Sequence, residues 1–530
     1  MDKKYDNYII SALAELPNTR EEFGALKKKL SKQHRLPIPT NADIRNRYNE
    51  LLKKKNVHRS ELFERLLTSR LIRTQSGVAV VAVLTKPYPC PGKCIYCPTE
   101  KDMPKSYLSN EPAVMRAIDS QFDPYVQVQN RLRSLELNGH STDKIELIVM
   151  GGTFSFLPKD YQKKFIAECF RGCNEYPKSL HGVTQPLDKA LAIEQKRNER
   201  AKHRIVGLTL ETRPDYINEK EIMHFRRLGC TRVELGVQSI FNDILRVNNR
   251  GHLTKATIDA TKLLKDAGFK INYHMMPGLP GSDPERDFAM FQELFNNPSY
   301  QPDMLKIYPT VVLHDSELYS IWKEKKYAPL NDKIFEKLVL KIKNEVIPPY
   351  VRIARLVRDV PTPSIIAGPV VSNLRQIIAK KSHCPCIRCR EVRGNYAASE
   401  DIILDRIDYS ASDGKELFLQ FVSPDKKKLF ALLRLRIPAK NSARNIFKCL
   451  EDSALIREIH TYGKLAKINS KDSTSPQHVG LGRKLILEAE RITKEEFGIK
   501  KIAIISGIGV RGYYRKVGYR VNQTYMLKHL

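Results

Sequence analysis

The chain has 530 residues, enough for about three or four domains, and 42% of them are hydrophobic, enough for sizeable cores. Ninety Lys and Arg against 59 Asp and Glu give a formal charge of +31, which points to a polyanion such as nucleic acid, because neutralised phosphates release counterions. No run approaches the ~18–20 apolar residues of a membrane span, no apolar h-region follows Met1, and six of the ten cysteines fall in two short groups rather than a spread disulfide framework. A reducing, cytoplasmic setting without a membrane partner is expected.

Residues 1–75 read as a basic helical module, with 17 Lys and Arg against 9 Asp and Glu. Helices are predicted over Asn7–Leu16, Thr19–Leu30 and Thr40–Lys55, with Thr19 and Thr40 as N-caps. The Lys27–Lys29 and Lys53–Lys55 runs are expected to end two of them, where cations suit the helix dipole. The same basic ends make a phosphate-binding arm for RNA.

From 76 to about 380 the pattern repeats as strand, loop and helix. Strands are predicted at Val78–Leu84, Ile145–Met150, Ile205–Leu210, Arg232–Val237, Ile271–Met276 and Leu305–Val312, with a further strand-like segment at Val351–Leu356. Helices are predicted at Val114–Leu137, Lys159–Phe170, Glu219–Leu228, Lys255–Ala267 and Glu285–Phe295. Six β/α units imply an α/β domain with a parallel sheet curled into a partial barrel, in which chemistry gathers at the C-terminal strand ends.

The motifs fall at those ends. The first strand feeds Cys90-Pro-Gly-Lys-Cys94-Ile-Tyr-Cys97, three thiols at C-x3-C-x2-C spacing. Such a loop can hold three irons of a 4Fe-4S cluster and leave the fourth open to the amino and carboxylate groups of S-adenosylmethionine. A zinc site would want a fourth Cys or His nearby, and none lies between Lys86 and Leu108. The spacing resembles the radical S-adenosylmethionine signature. Gly151-Gly152-Thr153 lets backbone approach a ligand's amino group. Glu211 and Arg213 offer a carboxylate for a ribose hydroxyl and a cation for a carboxylate, and Gln238 and Ser239 line the same mouth.

A second knot, Cys384, Cys386 and Cys389, sits in a linker over residues 381–395. Three thiolates plus one more ligand make a structural zinc site, with His383 adjacent and Cys449 or a distant His as other fourth ligands; a second iron–sulfur cluster is the rival. Residues 396–530 change to antiparallel β. Leu417–Val422 and Leu429–Ile437 flank a Ser423-Pro424-Asp425 turn, and Arg434 and Arg436 alternate with Leu433, Leu435 and Ile437 as in a half-buried strand. Strands at Leu455–Ile468, Lys501–Ile505 and Tyr519–Leu527, a helix within Gln477–Phe497 and a short helix Arg511–Lys516 complete this part. Gly480-Leu481-Gly482 opens the long helix and can cradle a pyrophosphate, with Arg483 following, while Tyr513 and Tyr514 place hydroxyls nearby. That combination suits acetyl-coenzyme A.

Taken with Glu111-Pro-Ala-Val-Met115, Ile148–Thr153, Glu211–Tyr216, Gly236–Ser239, Asn249–His252, His274–Pro277, Leu305–Thr310 and Gly512–Lys516, these motifs resemble the catalytic subunit of Elongator in its stand-alone archaeal or bacterial form. The resemblance covers nearly the whole chain. It implies a radical S-adenosylmethionine barrel followed by a GNAT α+β acetyltransferase domain. It also implies formation of 5-carboxymethyluridine at the tRNA wobble position from acetyl-coenzyme A. Cys90, Cys94 and Cys97 then hold the 4Fe-4S cluster. Lys144 resembles the family's lysine that reaches acetyl-coenzyme A from the barrel, Glu458, Ile459, His460 and Thr461 its acetyl-coenzyme A strand, Leu481, Gly482 and Arg483 its pyrophosphate turn, and Tyr514 its tyrosine near the thioester. The tRNA anticodon stem-loop is the expected partner, and other Elongator subunits are not required. Two alternatives stand beside this reading: a protein lysine acetyltransferase with a structural cluster, and a tRNA-binding scaffold without turnover.

Overall fold

The computed structural model describes residues 2–69, 77–177, 187–393, 400–439, 446–463 and 480–530. Four helices open the chain: α1 (Asp2–Ala14), α2 (Arg20–His34), α3 (Asn41–Lys53) and α4 (Glu61–Leu67). Thr19 and Thr40 close full capping boxes with Glu22 and Asp43, as their positions predict. The Lys27–Lys29 run lies inside α2 instead of ending it, so the dipole argument holds only for the run after α3. The fourth helix was not foreseen. Ser60 caps it, and Phe63 meets Phe23 and Tyr48 edge to face at 5.8 and 5.1 Å, closing a small separate core. The module's expected end at residue 75 falls outside the described residues.

Strands β1 (Ala79–Leu84), β2 (Lys144–Met150), β3 (Arg204–Thr212), β4 (Arg232–Gln238), β5 (Lys270–Met275) and β6 (Met304–Ile307) pair in parallel in sequence order. The predicted sixth strand stops early, before Pro309. Val312–Leu313 (β7) instead pairs with Ile365–Ala367 (β9), while Arg352–Arg355 (β8) extends the parallel sheet to seven strands. The helix predicted over Val114–Leu137 is two helices, Pro112–Asp119 and Pro124–Leu137. Gln121 and Phe122 take positive φ between them, and Asp123 caps the second ahead of Pro124. A further helix, Leu187–Asn198, was not predicted.

The C-terminal part is a second seven-stranded sheet: β10 (Ile403–Ala411), β11 (Gly414–Val422), β12 (Leu429–Ile437), β13 (Ala454–Thr461), β14 (Lys501–Ile504), β15 (Arg520–Asn522) and β16 (Tyr525–His529), in the order β10-β11-β12-β13-β14-β16-β15. The strand β10 was not foreseen, and the predicted last strand is a tight hairpin that turns at Gln523. Residues 464–468 of the predicted Leu455–Ile468 strand lie outside the described residues. One face of this sheet packs on the barrel through Phe418, Leu432 and Tyr525, and the other on helix Leu481–Arg491 through Leu433, Leu435 and Ile456. The half-buried reading of β12 is therefore overturned. Arg434 and Arg436 are 1% and 0% exposed, because the face they point from meets the barrel rather than water.

Candidate functional site

The cysteine loop lies at the C-terminal ends of the barrel strands. Cys94 is buried, and Cys90 and Cys97 are half-buried. Gly92 N–H points to Cys90 Sγ at 3.4 Å, Arg250 Nη1 to Cys94 Sγ at 3.4 Å, and Thr153 Oγ1 lies 3.9 Å from Cys90 Sγ. Burial and the neighbouring Cys94 push the Cys97 thiol up to about 11. Iron ligation would replace that proton, since metal binds the thiolate.

The turn after β2 reaches the same place. Gly151 and Gly152 have φ of 129° and 90°, and a Cβ on Gly151 would overlap Thr85 Oγ1. Gln238, at the end of β4, holds φ 69°, a costly conformation for a residue with a side chain. Its Oε1 and Arg213 Nη1 are buried without a protein partner, as are Thr85 Oγ1 and Tyr96 OH. Orphaned polar atoms around three thiols are what a polar ligand of a cluster would satisfy. The residues therefore fit a four-iron cluster with S-adenosylmethionine.

Arg213 is not a free cation for a carboxylate, as expected from sequence. It grips Asp215 through two bonds of 2.9 and 2.8 Å and donates to Arg250 O at 2.9 Å, which leaves only Nη1 toward the cysteine loop. Glu211 accepts from Tyr107 OH at 2.7 Å and lies 3.7 Å from Lys306 Nζ. Lys306 also pairs with Glu234, which accepts from His274 Nε2 at 2.9 Å. Glu211, Glu234 and His274 offer ligand atoms within 4.8 Å of one another, but the Lys306 ammonium already supplies the cation, so this is an internal ion-pair cluster. Burial and Lys306 push the His274 pKa down, which keeps the ring neutral.

The strand-start end of the barrel faces the second sheet. There β13 pairs with β14 only over Ala454–Ile456, and the strand then runs on to Thr461 without it, opening a gap between the two. Gly482, in the first turn of helix Leu481–Arg491, faces that gap: a Cβ there would lie 3.2 Å from Tyr513 OH, 3.5 Å from Thr461 Oγ1 and 3.7 Å from Ile459 Cδ1. Gly480, at φ 78°, caps the helix ahead of Arg483. Three separate predicted segments thus converge. Tyr513 is the tyrosine that reaches them, while Tyr514 is buried in the core beneath, its ring 5.3 Å from that of Tyr513. Gln477–Val479 of the predicted turn lie outside the described residues.

Glu458 has its side chain committed elsewhere, to Lys270 Nζ at 2.8 Å and Arg434 Nε at 2.9 Å, so only its backbone is available to a ligand. The His460 ring lies 4.3 Å from that of Tyr462. Lys144 starts β2 beside Arg204 of β3, and burial lowers its pKa. A Cβ on Gly507 would overlap Val206 O, so the loop leading to Tyr513 lies backbone to backbone on β3.

Cys384, Cys386 and Cys389 bring their Sγ atoms within 4.8 Å of one another. Ligands on one tetrahedral zinc, at ~2.3 Å from the metal, stand about 3.8 Å apart. Thiolates on different irons of a cubane stand further apart, so the donor set suits a single ion better. His383 is exposed and, like Cys449, is not in the group.

A parallel half-barrel with a three-cysteine loop at its strand ends defines the radical S-adenosylmethionine class, and residues 88–291 match the Radical SAM superfamily, with 302–383 matching the Radical SAM C-terminal domain. The chain is 46% identical over 500 residues to the tRNA uridine(34) acetyltransferase of Methanocaldococcus infernus, covering 91% of each chain. It is 40% identical over 485 residues to Elongator complex protein 3 of Bos taurus, covering 88% of this chain and 86% of that one. An archaeal Elp3 structure, from Methanocaldococcus infernus with residues 1–46 deleted, superposes with a TM-score of 0.72 at 44% identity, over 86% of this chain and 100% of that one. The chain belongs to the family of tRNA uridine(34) acetyltransferases and Elongator complex protein 3.

Tyr107 and Glu234 were not singled out from sequence, and Arg250 and Lys306 entered only as members of the Asn249–His252 and Leu305–Thr310 motifs, without a role. The available signal was a charged residue between apolar neighbours inside a strand, as Glu234 is between Val233 and Leu235 in β4 and Lys306 between Leu305 and Ile307 in β6.

Proposed function

We propose that the protein modifies the wobble uridine of tRNA, using acetyl-coenzyme A and S-adenosylmethionine to form 5-carboxymethyluridine. One observation carries this reading: β13, with the residues expected at acetyl-coenzyme A, crosses the strand-start end of the same barrel whose strand-finish end carries the three cysteines. One chain then carries both a carbon-donor site and a radical source. Names of relatives at 44–46% identity support the tRNA substrate.

The division of labour follows the chain: 1–75 for RNA, 76–380 for the radical site, 381–395 for a zinc clasp, and 396–530 for a GNAT-type acetyl-coenzyme A site. Cys90, Cys94 and Cys97 hold the cluster, which with S-adenosylmethionine supplies a carbon-centred radical. Gly151, Gly152 and Thr153 present backbone to the cofactor's amino end, Glu211 takes the ribose, and Arg213 Nη1 and Gln238 Oε1 complete its polar contacts. Lys144, the backbone of Glu458–Thr461, Gly480–Arg483 and Tyr513 hold acetyl-coenzyme A, with Tyr514 supporting Tyr513 from the core. Cys384, Cys386 and Cys389 hold zinc. The enzyme works in the cytoplasm without further Elongator subunits.

In the anaerobically reconstituted enzyme, Cys94→Ser and Lys144→Ala are each expected to abolish tRNA modification. A Cys94→Ser enzyme that still acetylates a lysine peptide would favour the protein acetyltransferase reading instead.

A further inference from the structure

Three aromatic side chains stand in contact on the rim beside the cysteine loop, and nothing in the mechanism above uses them. Tyr88 lies two residues before Cys90, Phe156 in the turn after Thr153, and Tyr216 in the turn after Arg213. They thus come from the loops that follow β1, β2 and β3. The Tyr88 and Phe156 rings are 6.0 Å apart at 61°, and the Phe156 and Tyr216 rings 5.9 Å apart at 90°. Tyr88 and Phe156 are each 38% exposed. A bond of 2.8 Å from Thr212 Oγ1 to Ser155 Oγ fixes the Phe156 turn to that of Tyr216.

A single exposed ring needs no explanation. Three touching rings from successive strand-end loops keep apolar area in water at a cost, at the mouth where a substrate must enter. Cations flank them. Lys86 and Lys93 are exposed on either side of Tyr88 in sequence, and neither forms an ion pair among the described residues, although the Lys86 ammonium lies 4.9 Å from the centre of the Tyr161 ring. Beyond Lys93 opens a cavity of about 660 Å³ that Arg246 and Arg250 also line. Rings for bases and exposed cations for phosphates are the two components of a single-strand nucleic-acid surface. A lysine-bearing peptide would meet like charge here.

We propose that Tyr88, Phe156 and Tyr216 form a stacking platform for unpaired RNA bases next to the one being modified, with Lys86 and Lys93 taking the adjoining phosphates. This rests on the tRNA reading above and adds which residues hold the loop open at the radical site. An unstacked base recovers its lost stacking on a ring, so the platform would favour the splayed loop over the closed one.

The chain has one tryptophan, Trp322, which makes the test direct. In the reconstituted full-length enzyme, Phe156→Trp is placed in a Trp322→Phe background and titrated with a synthetic anticodon stem-loop RNA. Tryptophan emission is expected to fall on binding, and not with a blunt RNA duplex. By anisotropy, Tyr88→Ala with Phe156→Ala is expected to weaken stem-loop binding by about five- to a hundredfold at unchanged iron content, and Phe156→Leu, which keeps bulk without a ring, to weaken it as Phe156→Ala alone does. Stem-loop binding with no quenching and wild-type affinity in these variants would overturn the platform and leave the tRNA reading standing. Wild-type affinity in Phe156→Leu alone, or quenching by a lysine-rich peptide, would also overturn it. Failure of the wild-type enzyme to bind the stem-loop would remove both.

Discussion

Arg457 sits where β12 and β13 slip register, and its guanidinium leaves the second sheet to grip Asp303 at the start of β6, Nη2 to Oδ2 at 2.6 Å, with both side chains fully buried. Its other nitrogen takes Glu416 Oε2 at 2.9 Å. Around this pair Arg436 holds Asp266 at 2.5 Å, Arg434 donates to Tyr350 O at 2.6 Å, and Lys265 lies 3.7 and 3.8 Å from Asp303 and Glu416. A buried network of this kind adds little over an apolar interface, but breaking it leaves charge stranded. It fixes the register between the barrel and the second sheet.

Arg457→Met is therefore expected to destabilise the chain by about 3–5 kcal/mol in urea unfolding, because Asp303 and Glu416 both lose their main cation. Lys265→Met is expected to cost clearly less, since those carboxylates keep Arg457. Equal costs would mean that Lys265 is the primary partner.

The same lysine gives a pH signature. Burial pushes Lys265 down to about 8 from 10.5. Below about 8 both folded and unfolded forms hold the proton, and this group adds no slope. Between about 8 and 10.5 the unfolded form binds more protons, so stability from this group rises with pH. The wild type minus Lys265→Met difference, measured by urea unfolding from pH 7.5 to 10, is expected to move in favour of the wild type; a flat difference contradicts it.

Gly151→Ala forces a side chain into a positive φ and against Thr85 Oγ1. S-adenosylmethionine binding is expected to weaken at least about tenfold, with acetyl-coenzyme A binding unchanged. Gly507→Ala should do the reverse, since its Cβ would push the Tyr513 loop off Val206. Equilibrium dialysis with each labelled ligand separates the two.

The metal sites are expected to be independent. Cys94→Ser should lose iron and keep zinc, and Cys386→Ser should lose zinc and keep iron, by elemental analysis of the reconstituted proteins. Iron lost from Cys386→Ser would mean that the second knot holds a cluster.

Much of this was legible in the residues, because local rules set it. The Thr19 and Thr40 caps, the Cys90–Cys97 loop at the end of β1 and the Gly151-Gly152 turn each follow from short-range chemistry. What sequence missed depends on partners far along the chain. Alternation placed Arg434 and Arg436 toward water, yet that face of β12 meets the barrel, so the period was right and the environment wrong. Arg213 looked free until Asp215 folded back on it, and Glu458 looked like a ligand until Lys270, 188 residues away, took its side chain. Of the two adjacent tyrosines, the resemblance places Tyr514 near the thioester. Only the helix start at Gly482 shows that Tyr513 faces the gap and Tyr514 the core.

The most direct measurement is nucleoside analysis of tRNA after anaerobic incubation with the reconstituted enzyme, acetyl-coenzyme A carbon-labelled in its methyl group, S-adenosylmethionine and a reductant. The expected result is labelled 5-carboxymethyluridine at the wobble position, lost when the acetyl donor, S-adenosylmethionine or the reductant is left out. Unlabelled tRNA together with reductant-independent acetylation of a lysine peptide would contradict the account.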